Sequence, residues 1–229
     1  MLAQEQSAEE APALPPVEDI VVEANVLELT LNDEHRQGVD WAAIVEDFHT
    51  VPLQKEDDPA WADPKYRLNV GTVSDDDYKV LLEALDTVGQ VARFEQEGFS
   101  LNVGQTVSVD LKAGPQNMRV EAGLSKPSSG EPTLSIEPHF ALLLPQEQRL
   151  QKLPEAVLLK AKTQLAFQDN TTIVIGGFMR EEAIIKTRKF PLLGDLPLVG
   201  LVFRSQGRLM KKTETVIFLT MHRKPAPNP

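Results

Sequence analysis

Apolar and polar positions alternate along most of this chain, the period of a β-strand with one face in a core. Ile20 to Leu31 opens the pattern. Val22, Ala24 and Val26 lie on one face, Val21, Leu27, Leu29 and Leu31 on the other, and Glu23 and Glu28 are left to solvent. Further on, Phe99, Leu101 and Val103, then Val107, Val109 and Leu111, then Met118, Val120, Ala122 and Leu124 repeat the alternation. Leu134, Ile136, Phe140, Leu142 and Leu144 continue it, interrupted by Pro138, and Val157, Leu159, Ala161, Thr163, Leu165 and Phe167 resume it. Gly114-Pro115 and Lys126-Pro-Ser-Ser-Gly130 punctuate the runs as turns, and Pro145 to Pro154 is polar enough for a hairpin tip. This is the pattern of an antiparallel meander with one apolar face per strand.

One segment breaks the period. From Ser74 to Gly89 the apolar residues Tyr78, Leu81, Leu82, Leu85 and Val88 fall on one face at helical spacing. Ser74 suits the N-cap, and Asp75, Asp76 and Asp77 complement the positive end of the helix. That capping role accounts for three successive aspartates without a metal. Gly89 is placed to cap the other end in a left-handed conformation. Between the first strand and this helix, Thr50 to Asp63 is acidic and broken by proline. It reads as a loop anchored by Trp61 and Tyr66.

The end of the chain is denser. Thr171 to Ile175 is β-branched and apolar, hence a strand. Gly176-Gly177 then ends it or lets another backbone approach closely. Arg180-Glu181-Glu182 reads as a charged turn after which Ala183 to Lys189 returns antiparallel. Pro191, Gly194, Pro197 and Gly200 divide a run of leucines, valines and phenylalanine into a rigid irregular loop too apolar to be solvated. Val216 to Leu219 reads as a strand buried on both faces.

Composition narrows what such a fold can do. The 229 residues carry a net charge of −11 with a pI near 4.9. That argues against a nucleic-acid partner and against simple electrostatic attachment of the whole chain to an anionic membrane. There is no cysteine, so disulfides and thiolate metal sites are excluded. No apolar run is long enough for a transmembrane helix, which leaves a membrane β-barrel open because its signal is alternation. Met1-Leu2-Ala3 leads at once into glutamine and glutamate, so no signal peptide is expected in this chain. His35, His49, His139 and His222 are scattered without metal-ligand spacing, and no phosphate loop or nucleophile elbow occurs. The Asn170-Thr171-Thr172 glycosylation pattern is read as coincidence. The expectation is a non-enzyme with no cofactor, no metal and no nucleic acid. An enzyme built on a β scaffold is the remote alternative.

The C-terminal blocks also carry a resemblance. Thr172-Ile-Val-Ile-Gly-Gly-Phe178, then Pro191-Leu-Leu-Gly-Asp-Leu-Pro-Leu-Val-Gly-Leu-Val-Phe-Arg204, then Thr213-Glu-Thr-Val-Ile-Phe-Leu-Thr220 resemble, in order and spacing, the C-terminal signature of the secretins. These are ring-forming outer-membrane channels of type II and type III secretion and of type IV pili. Val22-Glu-Ala-Asn-Val-Leu-Glu-Leu followed by Gly38-Val-Asp-Trp41 is similar to the start of the secretin domain. The resemblance implies an α+β, mostly β fold. Residues 1–18 would be a disordered tail or linker and 19–90 a small N-terminal α/β part. Residues 91–221 would form a core of antiparallel hairpins, and 222–229 a tail.

It further implies a channel subunit for protein secretion or pilus passage in the outer membrane and periplasm. Its partners would be copies of itself in a ring, the outer membrane and other secretion or pilus components. Gly176, Gly177, Pro191, Leu192, Leu193, Gly194, Asp195, Pro197, Gly200 and Phe203 would be structural determinants of the barrel and its membrane-facing rim. The chain departs from the family in its short connections, between helix and first barrel strand and within the gate-bearing hairpin. The alternative is therefore a secretin-like periplasmic scaffold that opens no pore.

Overall fold

The computed structural model describes residues 19–61, 63–113, 116–128, 131–143, 156–189 and 204–224, most of them in strands. In chain order these are β1 (Asp19–Leu31), a 3-10 turn (Trp41–Ala43), β2 (Glu46–Pro52), β3 (Gln54–Lys55) and β4 (Arg67–Ser74). Then come α1 (Asp75–Val88), β5 (Gly89–Glu95), β6 (Phe99–Asn102), β7 (Thr106–Ala113), β8 (Gln116–Ser125), β9 (Thr133–Leu143), β10 (Ala156–Lys160), β11 (Thr163–Ala166), β12 (Thr171–Lys189) and β13 (Arg204–Arg223). One sheet has the order β2-β4-β12-β13-β1-β5, with β6 also pairing β1. The other has the order β3-β10-β9-β8-β7, with β11 also on β9. The fold is α+β, mostly antiparallel β with one α-helix among the described residues, as the alternation predicts.

The two-faced pattern of β1 explains the layering. Ile20, Val22, Ala24 and Val26 project into a core shared with Leu111, Met118, Val120, Leu134 and Ile136 of the second sheet. Leu27, Leu29 and Leu31 project the other way, onto Leu81 and Leu85 of α1. Successive side chains on a strand point to opposite faces. The first sheet is therefore a middle layer, with the helix on one side and the second sheet on the other. Strands from both ends of the chain build it, since β1 pairs with β13 from Ile20↔Arg223 to Thr30↔Thr213.

The helix begins as its cap predicts. Ser74 Oγ accepts from the Asp77 amide at 3.2 Å and donates to the Asp77 carboxylate at 2.7 Å. Its end differs from expectation. Gly89 has φ 177°, extended rather than left-handed, and is the first residue of β5. Glycine is needed there for space: a Cβ would lie 2.1 Å from the Thr30 carbonyl oxygen.

Three further expectations are corrected or completed by the sheets. Thr50 to Asp63 is not loop throughout, because β2 runs to Pro52 and β3 pairs with β10 through Lys55↔Leu159. Trp61 does anchor its segment, packing on Tyr66 with ring centroids 5.7 Å apart and under the Lys55 ammonium. Pro138 stays within β9, opposite Val120 of β8. Its other edge is where pairing passes from β10 to β11. The ring removes the N–H that would point there, and only its carbonyl is used, accepting from Ala161 N at 3.2 Å.

The largest correction concerns Arg180-Glu181-Glu182. They form no turn. β12 continues from Thr171 to Lys189, and Ala183 to Lys189 pair with β13 from Met210 to Arg204. Glu181 and Glu182 sit opposite Lys212 and Lys211, and Lys212 reaches the Glu181 carboxylate at 2.9 Å. A charged triplet looks like a turn in sequence. Here it is a charge-paired rung, which a strand tolerates equally well. The hairpin connection falls instead between Lys189 and Arg204.

Candidate functional site

The site lies at the root of the β12–β13 hairpin and centres on a buried carboxylate. From Thr213 to Met221, every residue of β13 is buried. That fits the expectation of a strand covered on both faces, but it includes Glu214, 1% exposed. A carboxylate so enclosed must be matched by donors. Three supply it: Trp41 Nε1 and the Gly177 amide donate to Oε1 at 2.7 and 2.8 Å, and the Val39 amide donates to Oε2 at 3.0 Å.

Each donor is delivered by a local backbone device. The pairing of β12 with β13 shifts register between Ile175 and Phe178, a bulge made by Gly176 and Gly177. Gly177 has φ +88°, a region L side chains rarely adopt, and this turns its amide toward Glu214. Gly176 is required by the neighbour instead: a Cβ there would sit 2.5 Å from the Trp41 indole nitrogen. On the opposite side Gly38, at φ +104°, bends the chain so that Val39 and Trp41 face the carboxylate. A Cβ on Gly38 would lie 3.2 Å from Glu214 Oε2. Trp41 is itself buried in the core beneath α1. Bonds to a charged acceptor are about twice as strong as neutral ones, so this arrangement clamps the bulge, the N-terminal turn and β13 together.

Three sequence blocks, Gly38–Trp41, Gly176-Gly177 and Thr213–Thr220, thus meet at one group. Of the anticipated site residues, Gly176 and Gly177 are here. Pro191, Leu192, Leu193, Gly194, Asp195, Pro197, Gly200 and Phe203 lie outside the described residues. Glu214 and Trp41 were not among them. The signal was present, since Glu214 is the one acid in a run from Thr213 to Met221 that is otherwise apolar or threonine.

The arrangement is a structural clasp. Its carboxylate faces backbone amides and an indole, none of which ionises near neutral pH. The histidines are held elsewhere by separate partners. His35 meets Asn32, His49 meets Thr163 and His222 meets Asn170 at 2.8–3.0 Å. His139 lies 2.6 Å from Glu56 on the outer face of the second sheet, where Lys160 meets Glu137. The hydrogen bond to Glu137 raises the Lys160 pKa from its ordinary value. Among the described residues no three His, Asp or Glu side chains are grouped to hold a metal ion, and no helix is long and apolar enough to cross a membrane.

The family model for Secretin, described as bacterial type II and III secretion system protein, matches residues 78–222, from α1 to the end of β13. This chain belongs to the secretin family. The secretin GspD of Vibrio cholerae is 39% identical over 57 residues, which cover 25% of this chain and 8% of that protein. The secretin XcpQ of Pseudomonas aeruginosa is 32% identical over 87 residues, 38% of this chain and 13% of that one. The type IV pilus biogenesis and competence protein PilQ of Neisseria meningitidis is 34% identical over 58 residues, 25% of this chain and 8% of PilQ. The chain thus aligns with only a small part of each of these curated secretins. Among solved structures, XcpQ of the P. aeruginosa type II system aligns with 92% of this chain and 60% of its own, at TM-score 0.35 and 17% identity. The Salmonella SPI-1 injectisome secretin InvG covers 93% and 66%, at TM-score 0.37 and 12% identity.

Proposed function

We propose that this chain is a subunit of a homo-oligomeric secretin channel in the outer membrane, a conduit for secreted protein or a pilus that performs no bond chemistry. Family membership supports the conduit. The observation that carries the assembly is the state of the strand edges. β4 pairs with β12 only as far as Gly176, and β1 pairs with β13 only from Thr213 onward. Beyond those points β12 and β13 have only each other among the described residues. The paired ribbon from Phe178 to Lys189 is roughly 35–40 Å long at the antiparallel rise.

An open edge of that length leaves backbone donors and acceptors that invite another strand. In a bilayer they must be paired. A second copy pairing side by side, repeated by rotation, closes a ring and leaves no edge. In this reading the Glu214 clasp fixes the angle at which the hairpin leaves the body. Gly176 and Gly177 serve the barrel through that clasp, and the apolar residues from Pro191 to Phe203 form its membrane-facing rim. Partners such as those in the pilotin–secretin complex AspS–GspD would engage the same assembly.

The test is the mass of the detergent-extracted native protein, with negative-stain imaging of the same sample. Rings of many copies that resist heating in detergent uphold the channel. A soluble monomer contradicts it and leaves a secretin-like scaffold that opens no pore.

A further inference from the structure

The clasp at Glu214 holds one face of the hairpin root, the face that carries Trp41 and lies under α1. The opposite face begins with Phe178 of β12, in the core shared with the second sheet, and continues to Arg180 two residues on. β1 reaches the same face through Val26 and then Glu28. In the register Arg180 is opposite Thr213 of β13, while Thr215 has Phe178 on one side and Glu28 on the other. Arg180 thus reaches Glu28 diagonally across β13, over threonines that are short and buried. β1 pairs with β13 as far as Thr30↔Thr213. Arg180 therefore stands at the last three-stranded rung, where the sheet narrows to the two-stranded ribbon.

The contact is incomplete. Arg180 Nη2 lies 3.8 Å from Glu28 Oε1, and the two side chains are 19% and 13% exposed. That separation makes an ion pair but not a hydrogen bond. Glu28 Oε1 is buried and accepts from no donor. A buried carboxylate oxygen left without a donor is costly. Glu214 gives the contrast on the other face, with three donors on its two oxygens.

We propose that Arg180, acting through Glu28, is a positioning residue for the tilt of the β12–β13 hairpin, and that their unfilled contact is a latch poised to close. The bulge at Gly176-Gly177 is the pivot, roughly 10 Å from Arg180 at the antiparallel rise. Closing the gap to hydrogen-bond distance takes roughly 0.8 Å. At that lever arm the ribbon turns by roughly 5°, and its far end moves by roughly 3 Å. Glu214 roots the ribbon, and the Arg180–Glu28 pair limits its swing from the other face. The inference rests on the channel reading only for its consequence, that the direction of the hairpin decides how neighbouring copies meet.

The chain has no cysteine, so two spin labels can be attached through Glu83→Cys on α1 and Met210→Cys on β13, both exposed positions. Their separation is read by pulsed electron resonance in the full-length chain. The chain with Arg180 and Glu28 intact is expected to give one narrow distance distribution. Glu28→Gln and Arg180→Gln should each widen it about twofold, and the double variant no further than either single, because both remove one contact. Arg180→Lys, which keeps the charge, should widen it less than Arg180→Gln. If Arg180→Gln fails to fold, Glu28→Gln leaves no buried charge behind and carries the test alone.

An unchanged distribution in Glu28→Gln overturns the proposal, and so does widening that adds in the double variant. Glu181→Gln breaks the Lys212 pair on the same ribbon and should leave the distribution as it is. Equal widening there overturns the proposal as well. Rings play no part in this measurement. A chain that shows the coupling but assembles no rings upholds the latch while contradicting the channel.

Discussion

The two halves of one hairpin obey different physics. At its root, β12 and β13 are flanked by β4 and β1, covered by α1 on one face and the second sheet on the other, and pinned by Glu214. Past Phe178 the same two strands continue with no third strand among the described residues. The root is a finished structure. The tip has open edges, a surplus of cations and an isolated two-stranded form that is marginal in water. In the proposed ring, a neighbouring copy would pair the edges left open at that end.

Substitutions at the root should break the comparison most severely. Glu214→Ala leaves three buried donors unmatched and opens a cavity, for an expected loss of about 3–5 kcal/mol in denaturant unfolding of the monomeric chain. Gly176→Ala drives a methyl into the Trp41 indole and is expected to cost about 3 kcal/mol. Glu214→Gln sharpens the assignment. Its carbonyl can keep Trp41 and Gly177 while its amide opposes the Val39 N–H, so about 1–2 kcal/mol is expected. If the alanine variant loses less than about 1 kcal/mol, the clasp is not what secures the root.

Smaller effects come from the helix that covers the root. Ser74→Ala removes the cap and should cost about 1 kcal/mol. Burial raises the Tyr78 pKa above its ordinary 10.0, partly offset by a hydrogen bond to Asn25. A group raised in the folded state supports stability below its unfolded pKa and loses that support as pH rises through the folded one. Stability should therefore fall above about pH 10, and Tyr78→Phe should flatten that fall in an alkaline denaturation series.

Much of this was legible in the sequence because local rules agreed with the fold. The Ser74 cap, the period-two runs from Met118 to Phe140, and Val216–Leu219 each carry their structure in their own spacing. The illegible parts depended on distant partners. Glu181 and Glu182 look like a turn until Lys211 and Lys212 are known to lie opposite. Gly89 does follow the helix as its cap, but why it must be glycine shows only when Thr30 is known to pass beside it. Glu214 and Trp41, 173 residues apart, can be read as a pair only when both ends of the chain are placed in one sheet.

The most direct measurement is hydrogen exchange along β12 and β13, compared between the monomeric chain and the detergent-extracted assembly. Val216 to Leu219 should be strongly protected in both. Residues 179–189 and 204–212 should exchange quickly in the monomer and become protected in the assembly, because neighbouring copies pair the open edges. If those residues exchange equally fast in both states, or are already as protected in the monomer as the root, the hairpin does not assemble the channel.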